Sequence, residues 1–334
     1  MKQHYTIPIF IPEKACPFRC VYCNQYHIAD LIKPMEPEAI LTEVDRYLET
    51  IPKHAVKRIA FFGGSFTGMS MAEQERYLQV VFPYLERGDI SGIQLSTRPD
   101  YINLEILQLL KNYGVSIIEL GAQSLDDEVL HAAGRGHTAA EVQQASSLII
   151  ENGFQLGLQM MIGLPGDTFE KSIDTAKKII EWGAHYTRIY PALVIRDTEL
   201  EQMYLQKKYT PLTLDEAIHW CRSLMDLFTA QNITILRMGL HPSEGLLTGH
   251  NLVAGPFHVS FKELVQTAHW NSVLEQETQN LGTQITVKVN RKQLNSAVGY
   301  YGKNKKWLQQ KYNKVIFQED ESLLEWDYKI EITT

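Results

Sequence analysis

Strand-like and helix-like segments alternate along most of this 334-residue chain. Two parallel strands need a connection of helix length, so the alternation predicts six βα units on one parallel sheet. Six units are fewer than the eight of a closed barrel, and the sequence therefore predicts an α/β fold, a curved partial (β/α)6 barrel. The predicted strands are 5–11, 57–62, 92–97, 115–122, 155–162 and 186–194, and the predicted helices are 36–50, 71–86, 102–112, 138–151, 168–182 and 213–230.

Three of the four cysteines lie together after the first predicted strand. Cys16, Cys20 and Cys23 have the spacing CxxxCxxC, which places three thiols on one loop. A [4Fe–4S] cluster normally takes four cysteine ligands, so three leave one iron open to another ligand. An odd local count, and an N-terminal segment without the pattern of a secretory leader, argue against a disulfide. A zinc site with His27 as a fourth ligand stays open on spacing alone, and Cys221 is expected to be a small core residue.

Small and polar residues follow the predicted strands. The carboxyl ends of parallel strands meet at one edge of a sheet, where barrels of this kind carry their chemistry. Glycines there let a ligand approach the backbone closely. We therefore expect a ligand site at this edge, built from GGS (63–65), STRPD (96–100), GAQS (121–124), GRGHT (134–138), MIGLPG (161–166) and RIYPALVI (188–195).

Charge is distributed unevenly along the chain. The net charge is −7, yet no acidic residue lies between Glu277 and Glu319. That stretch carries eight basic residues and a local charge of +8, so the remainder sums to −15. The asymmetry predicts an acidic body, 1–235, and a basic α+β module, 285–334, joined by a segment that could close the open side of the barrel, 236–284.

No run reaches 18 apolar residues, so we expect no membrane span.

The motifs resemble those of the radical S-adenosylmethionine (radical SAM) enzymes over about residues 5–235. Within that superfamily, GGSFTG, STRPDYI, ELGAQSLDDEVL, MIGLPGDT and IYPALVIRDTEL are most similar to the catalytic subunit of Elongator, a tRNA wobble-uridine modifying enzyme. GAQSLDDEVL, GRGHT and GLPGDT also resemble the oxygen-independent coproporphyrinogen III oxidase group. The resemblance implies a [4Fe–4S] cluster on Cys16, Cys20 and Cys23, and S-adenosylmethionine bound to the open iron.

The same resemblance implies a role for each cofactor-binding residue. Gly63, Gly64 and Ser96 correspond to contacts with the methionine amino group, and Arg135 to the contact with its carboxylate. Gln123 and Gln159 correspond to ribose contacts, and Ala192 to a backbone contact with adenine. The implied reaction is reductive cleavage of S-adenosylmethionine to methionine and a 5′-deoxyadenosyl radical, with electrons from a protein such as ferredoxin or flavodoxin. The residue that directs hydrogen abstraction is not identified by the motifs.

The basic module resembles a KH domain in its predicted order of strand, helix, GYYG turn, helix and strand. A KH domain clamps nucleic-acid backbone at its GxxG loop. The resemblance implies RNA contacts by Gly299, Tyr300, Tyr301, Gly302, Lys303, Lys305 and Lys306. RNA, with tRNA favoured, is therefore the expected partner, and the cytoplasm the expected compartment. Two alternatives stay open: a radical SAM enzyme with a small-molecule or tetrapyrrole substrate, and a non-catalytic RNA-binding iron–sulfur protein.

Overall fold

The computed structural model describes residues 4–11, 16, 20–29, 35–278 and 282–333. The chain divides into two compact units. The first contains Met1–Thr213 and Leu227–Phe257, and the second contains Leu214–Asp226 and His258–Thr334. The segment 236–284 is thus shared between the two units.

The described residues form the following strands and helices. The strands are β1 (His4–Ile11), β2 (Val56–Gly63), β3 (Ile93–Thr97), β4 (Val115–Gln123), β5 (Gln155–Ile162), β6 (Tyr186–Pro191), β7 (Val194–Ile195), β8 (Thr234–Met238), β9 (Leu252–Ala254), β10 (Gln284–Val289), β11 (Lys314–Glu319) and β12 (Tyr328–Thr333). The helices are α1 (Gln25–Ala29), α2 (Pro37–Thr50), α3 (Met71–Glu86), α4 (Leu104–Asn112), α5 (Asp127–Ala132), α6 (Ala139–Glu151), α7 (Phe169–Glu181), α8 (Glu199–Leu205), α9 (Leu214–Ala230), α10 (Glu244–Leu247), α11 (Phe261–Glu277), α12 (Leu294–Val298) and α13 (Lys303–Leu308).

The first unit is built on a parallel sheet in the order β1-β2-β3-β4-β5-β6-β8, which confirms the predicted partial α/β barrel. Over the described residues the sheet has seven strands, one more than the six βα units predicted, because β8 pairs with β6 after helix α9 returns the chain. The sixth strand is also shorter than the predicted range 186–194. It ends at Pro191, and Val194 begins the separate strand β7, which pairs antiparallel with β9.

Side-chain caps define where two of the helices that flank this sheet begin. Ser70 and Glu73 form a reciprocal capping box at the start of α3. Thr138 and Glu141 form another at the start of α6. Each box satisfies two backbone N–H groups that have no partner inside the helix. The predicted starts of these helices therefore agree with the structure to within one residue.

The second unit places α11, α12 and α13 against a sheet in the order β11-β10-β12. The central strand β10 runs parallel to β11 and antiparallel to β12. Trp270, Leu274, Ile285, Val287 and Leu308 are buried together in its core. The predicted order of strand, helix, GYYG turn, helix and strand is present from β10 to β11. Cys221 is fully buried, as expected of a core residue.

Among the described residues, no helix is both long and apolar enough to span a lipid bilayer.

Candidate cofactor site at the carboxyl ends of the strands

A cavity of about 400 Å³ lies at the carboxyl ends of the first-unit strands. It brings together side chains and glycines from β2, β3, β4, β5 and the cysteine loop. Nine of the ten residues predicted to bind a cluster or S-adenosylmethionine line it: Cys16, Cys20, Cys23, Gly63, Gly64, Ser96, Gln123, Arg135 and Gln159. The remaining one, Ala192, does not.

Of the described residues in the cysteine loop, Val21 connects the loop to the residue that follows α5, and Cys20 and Cys23 are hydrogen-bonded to each other. Val21 N–H donates to the Ala133 carbonyl at 3.1 Å, and Cys23 N–H donates to the Cys20 carbonyl at 3.0 Å. Cys20 is buried, whereas Cys23 is half-buried. In the described residues, no three His, Cys, Asp or Glu side chains lie close enough together to hold a single metal ion. His27, the zinc ligand left open by the sequence, has its ring against the Arg196 carbonyl and Asp197 instead.

Gly63 and Gly64 form the turn after β2. Gly63 has φ of 105°, a region that favours glycine. Its carbonyl accepts a hydrogen bond from the Gln25 side chain, and Gly64 N–H donates to the Ile11 carbonyl at 2.8 Å. The turn is therefore connected to both β1 and α1, and its backbone lines the cavity.

Arg135 links the cysteine loop to β4. It is 7% exposed, and its Nη1 lies 3.4 Å from Cys20 Sγ while its Nη2 donates to the Gly121 carbonyl. A Cβ at Gly121 would lie 3.1 Å from Arg135 Nη2, a tight contact that would require the guanidinium to shift. Arg135 Nε is buried and has no hydrogen-bond partner among the described residues. A buried N–H donor on a cationic group is suited to a ligand carboxylate.

Gln123 lies at a register shift at the end of β4. Its φ is 65°, an uncommon value for a residue other than glycine. Its Oε1 is buried without a hydrogen-bond partner in the described structure. An unpaired buried acceptor is costly unless a ligand donates to it, and a ribose hydroxyl is such a donor.

Gln159 has its amide orientation determined by its neighbours. Its Nε2 donates to Ser96 Oγ at 2.9 Å and to Glu119 Oε2 at 3.1 Å. A carboxylate can only accept, so the NH₂ group must face Glu119. The carbonyl oxygen of Gln159 is consequently the atom left to accept from a ligand hydroxyl. Ser96 serves here as a support for Gln159.

A buried ion pair, not anticipated from the sequence, lies beneath Gln159. Glu119 is 1% exposed, and Arg188 donates to it through Nε at 2.5 Å and Nη2 at 3.0 Å. Gln94 donates to the same carboxylate. The guanidinium also lies over the Phe62 ring, 4.7 Å from its centroid. The sequence did contain a signal for this pair, because Glu119 and Arg188 are charged residues inside apolar strands. A buried charge requires a partner of opposite charge.

Ala192 is buried in a cluster with Cys20, Val21 and Tyr22. Its N–H already donates to the Ile162 carbonyl at 2.9 Å. A backbone contact with adenine would therefore use the carbonyl oxygen of Ala192. Its neighbours Pro191 and Leu193 line a second, largely apolar cavity of about 240 Å³, which shares Tyr22, Cys23, Gln25, Gly63, Gln123 and Gln159 with the first.

Two titratable groups near the site have strongly shifted pKa values. Burial, with the charges of Arg135 and Arg98, lowers the pKa of His137 to about 3, so its imidazole is neutral. Burial raises the pKa of Asp167 to about 6. Asp167 accepts from Gly163 N–H at 2.8 Å and from the Ser172 hydroxyl at 2.9 Å, and thereby holds the loop after β5.

The GYYG turn in the second unit has three residues in the left-handed region. Gly299, Tyr301 and Gly302 have φ of 88°, 51° and 71°. The N–H groups of Gly299, Tyr300 and Gly302 already have intramolecular acceptors in Asn295, Thr267 and Gly299. Tyr301 is 82% exposed. Lys303, Lys305 and Lys306 are exposed, and none forms an ion pair with a described residue.

Residues 11–179 match the family described as the Radical SAM superfamily, and residues 184–270 match the Radical SAM C-terminal domain. The chain belongs to the radical SAM superfamily. It is 28% identical over 223 residues to an uncharacterized protein of Methanocaldococcus jannaschii, covering 64% of this chain and 67% of that protein. It is 27% identical over 259 residues to the tRNA uridine(34) acetyltransferase of the same organism, covering 64% of this chain and 47% of the relative.

The radical SAM fold assignment agrees with a solved structure. Elp3 of Methanocaldococcus infernus superposes with a TM-score of 0.63 at 18% identity, covering 84% of this chain and 64% of that one. This likeness concerns the fold. The chain spans about half the length of the tRNA uridine(34) acetyltransferase that it matches.

The residues present fit the cofactors of a radical SAM enzyme, a [4Fe–4S] cluster and S-adenosylmethionine. Three thiols line one cavity with an unpaired cationic N–H donor on Arg135 and an unpaired acceptor on Gln123. Cys16, Cys20 and Cys23 would hold the cluster, Arg135 the methionine carboxylate, and Gln123 and Gln159 the ribose hydroxyls. Bound there, the two cofactors supply reductive cleavage of the sulfonium C5′–S bond and a radical that abstracts hydrogen.

Proposed function

We propose that this radical SAM enzyme modifies RNA, with tRNA as the favoured substrate. The observation that carries the proposal is the exposed surface formed by Tyr301, Lys303, Lys305 and Lys306, which we call the GYYG surface. These lysines have no carboxylate partner among the described residues, whereas Lys288 and Lys292 are paired with Glu331 and Glu325. Unpaired lysines beside an exposed aromatic ring suit a phosphate backbone and an unstacked base.

The names of the curated relatives support the same substrate class. Several are tRNA uridine(34) acetyltransferases, and others are Elongator complex protein 3 from animals. This chain covers 44–50% of those proteins, so the acetyl-transfer step is not part of the proposal. The proposed reaction is hydrogen abstraction from a nucleoside, in the cytoplasm where tRNA is abundant, with a ferredoxin or flavodoxin as electron donor.

The residues of the first unit have separable tasks in this reaction. Arg135 and Gln123 orient the two ends of S-adenosylmethionine, and Glu119 keeps the Gln159 amide in the orientation that accepts from a hydroxyl. Tyr22 and the apolar side chains Met161, Pro191 and Leu193 line the adjoining cavity and exclude water. Excluding water protects a reactive radical from side reactions.

The test is anaerobic reconstitution followed by measurement of S-adenosylmethionine loss with bulk tRNA, with ribosomal RNA and with no RNA. The proposal predicts a clear stimulation by tRNA and retention of tRNA on the protein at low salt. The matched control is Cys20→Ala, which should retain tRNA binding and lose iron and cleavage. Absent or salt-insensitive tRNA binding contradicts the proposal.

A second candidate is a radical SAM enzyme that acts on a small apolar molecule or tetrapyrrole. The cavity of about 240 Å³ favours the small apolar molecule of these two, because Phe10, Ile28, Met161, Leu193 and Leu240 give it an apolar lining. The same assay distinguishes the two candidates. Loss of S-adenosylmethionine that requires a small metabolite and is not stimulated by RNA supports this second function.

A further inference from the structure

A second-unit cavity of about 480 Å³ lies beside the GYYG turn. It is lined by α11, α12 and the turn itself: Glu263, Gln266, Thr267, Asn295, Ser296, Val298, Gly299, Tyr300 and Tyr301. Its volume falls within the range of about 300–1,000 Å³ that is typical of small-ligand sites. The lining is mostly polar, and none of its side chains takes part in the cofactor site of the first unit.

The turn is held rigidly at the edge of this cavity. Tyr300 N–H donates to Thr267 Oγ1 at 2.9 Å. Asn304 is fully buried and donates from Nδ2 to the carbonyls of Thr267 and Ala297 at 3.1 and 3.2 Å. Gly299 packs so closely on Asn304 that a Cβ would lie 2.9 Å from its backbone nitrogen. The position of the turn is therefore determined by α11 and α13.

Tyr301 combines two features that a purely structural residue rarely has. Its ring is 82% exposed, and its backbone is left-handed with φ of 51°. Such a conformation in a bulky residue costs about 1–3 kcal/mol and tends to be retained where it serves a function. Its ring centroid lies 4.5 Å from that of Tyr300, which in turn packs edge-on against His258. The Tyr301 ring is thus exposed to solvent, where a nucleobase can stack on it, and it is supported by Tyr300 and His258.

Unused hydrogen-bonding groups face the cavity from helix α11. The Ser296 hydroxyl lies 3.2 Å from Gln266 Oε1, and no other hydrogen bond of the Gln266 side-chain amide is formed among the described residues, so its NH₂ group is available to a ligand. Glu263, one turn earlier on the same helix face, has a carboxylate with no partner among those residues. A carboxylate at this position repels phosphate, so the ligand group in the cavity is not the RNA backbone.

The hydrogen-bonding groups of Glu263 and Gln266 are complementary to the Watson–Crick edge of guanine. On its Watson–Crick edge, guanine presents the O6 acceptor followed by the N1–H and N2–H donors. The Gln266 NH₂ group can donate to O6, and the two oxygens of Glu263 can accept from N1–H and N2–H. Uracil has the O2 acceptor where guanine has the N2–H donor, and that oxygen would meet the Glu263 carboxylate. We propose that this cavity is a guanine-selective site for a single-stranded segment of the RNA substrate, with Tyr301 as its stacking surface.

This inference rests on the proposed RNA substrate and adds base selectivity to it. The GYYG surface supplies the phosphate contacts through Lys303, Lys305 and Lys306, and these contacts do not depend on sequence. Glu263 and Gln266 read the base edge, which is how single-stranded RNA is usually recognised. The two contributions can be separated by experiment because they lie on different side chains.

The test compares fluorescent oligouridines that carry one central guanosine, inosine or uridine, bound to the 334-residue protein at one fixed salt concentration. Inosine lacks only the N2 amino group. We expect guanosine to bind roughly tenfold more tightly than inosine, the usual loss when a charge-assisted hydrogen bond is removed. Glu263→Gln should abolish the difference while retaining uridine binding. Glu275→Gln, the same change on the same helix but outside the cavity, should keep the difference.

A second pair of variants tests the stacking surface. Tyr301→Ala should weaken binding of every oligonucleotide by roughly fivefold or more, and Tyr301→Phe should bind as the parent does, because the phenyl ring also stacks. Equal binding of guanosine and inosine by the parent protein overturns the guanine site and leaves RNA binding intact. Absence of binding to all three oligonucleotides overturns the proposed RNA substrate as well. Equal effects of Glu263→Gln and Glu275→Gln overturn the assignment of Glu263.

Discussion

Arg188 on β6 reaches past the intervening strand β5 and binds both carboxylate oxygens of Glu119 on β4. Gly157 makes this possible, since a Cβ at that position on β5 would lie only 2.8 Å from Glu119 Cγ. The pair also determines which way the Gln159 amide faces. A single buried contact thus connects the interior of the sheet to the part of the cavity that Gln159 lines.

Glu119→Gln tests the energetic role of this pair. The substitution leaves the buried Arg188 guanidinium without its counter-charge, and breaking a buried ion pair in this way costs about 3–5 kcal/mol. We expect the free energy of unfolding in urea to fall by that amount. Glu105→Gln, which changes an exposed carboxylate on α4, is the control and should change it by less than about 1 kcal/mol. A similar small change for Glu119→Gln would contradict the predicted role.

Asp167→Asn tests the titration of the loop after β5. The folded-state pKa of about 6 lies above the ordinary aspartate value, so the folded protein binds the proton more tightly than the unfolded chain does. The parent protein therefore loses stability as pH rises from about 4 to 6, by up to about 3 kcal/mol.

Asparagine can still accept from Gly163 N–H and from Ser172 and does not titrate. The variant should equal the parent near pH 4 and exceed it above pH 6. Urea unfolding of both proteins across this range is the measurement, and a difference that does not vary with pH would show that Asp167 titrates normally.

Arg135→Lys tests the recognition of the S-adenosylmethionine carboxylate. Lysine keeps the charge but lacks the planar fork of the guanidinium. It therefore cannot donate to Gly121, Cys20 and a ligand carboxylate at the same time. We expect the dissociation constant for S-adenosylmethionine to rise about 10- to 100-fold, which corresponds to the loss of a charge-assisted hydrogen bond. Iron content should stay near that of the parent. Equilibrium dialysis and iron assay provide the two readouts, and unchanged affinity would argue against the assigned contact.

Gly302→Asp tests the GYYG surface. Gly302 has φ of 71°, and a Cβ there would have no atom nearer than Lys306 Cε at 4.0 Å. Asparagine and aspartate both tolerate this backbone conformation, so the matched pair Gly302→Asn and Gly302→Asp differs mainly in charge. We expect the aspartate variant to bind tRNA several-fold more weakly than the asparagine variant, with S-adenosylmethionine cleavage in the absence of RNA unchanged. Equal tRNA binding by the two variants would remove the GYYG surface from the RNA contact.

Local patterns were enough to predict the partial barrel of the first unit and the strand-end motifs near its cavity, whereas the cofactor-binding residues were implied by the resemblance to radical SAM enzymes. The alternation of strands and helices and the strand-end glycines are both read from residues that are close to one another in the sequence. The position of β8 could not be read in this way, because its place beside β6 depends on how α9 returns the chain. The break in the predicted strand 186–194 depends likewise on β9, which lies more than fifty residues further along the chain.

The amino-acid sequence by itself determined the order of βα units, the three cysteines on one loop and the basic composition of the last segment, because each is a property of neighbouring residues. Tertiary structure alone decided which charges are neutralised and which remain available. Arg188 is paired with Glu119, and Lys288 and Lys292 with Glu331 and Glu325, whereas Lys303, Lys305 and Lys306 are not paired within the described residues. Electrostatic pairing depends on distance in space, and strand register and helix packing set those distances.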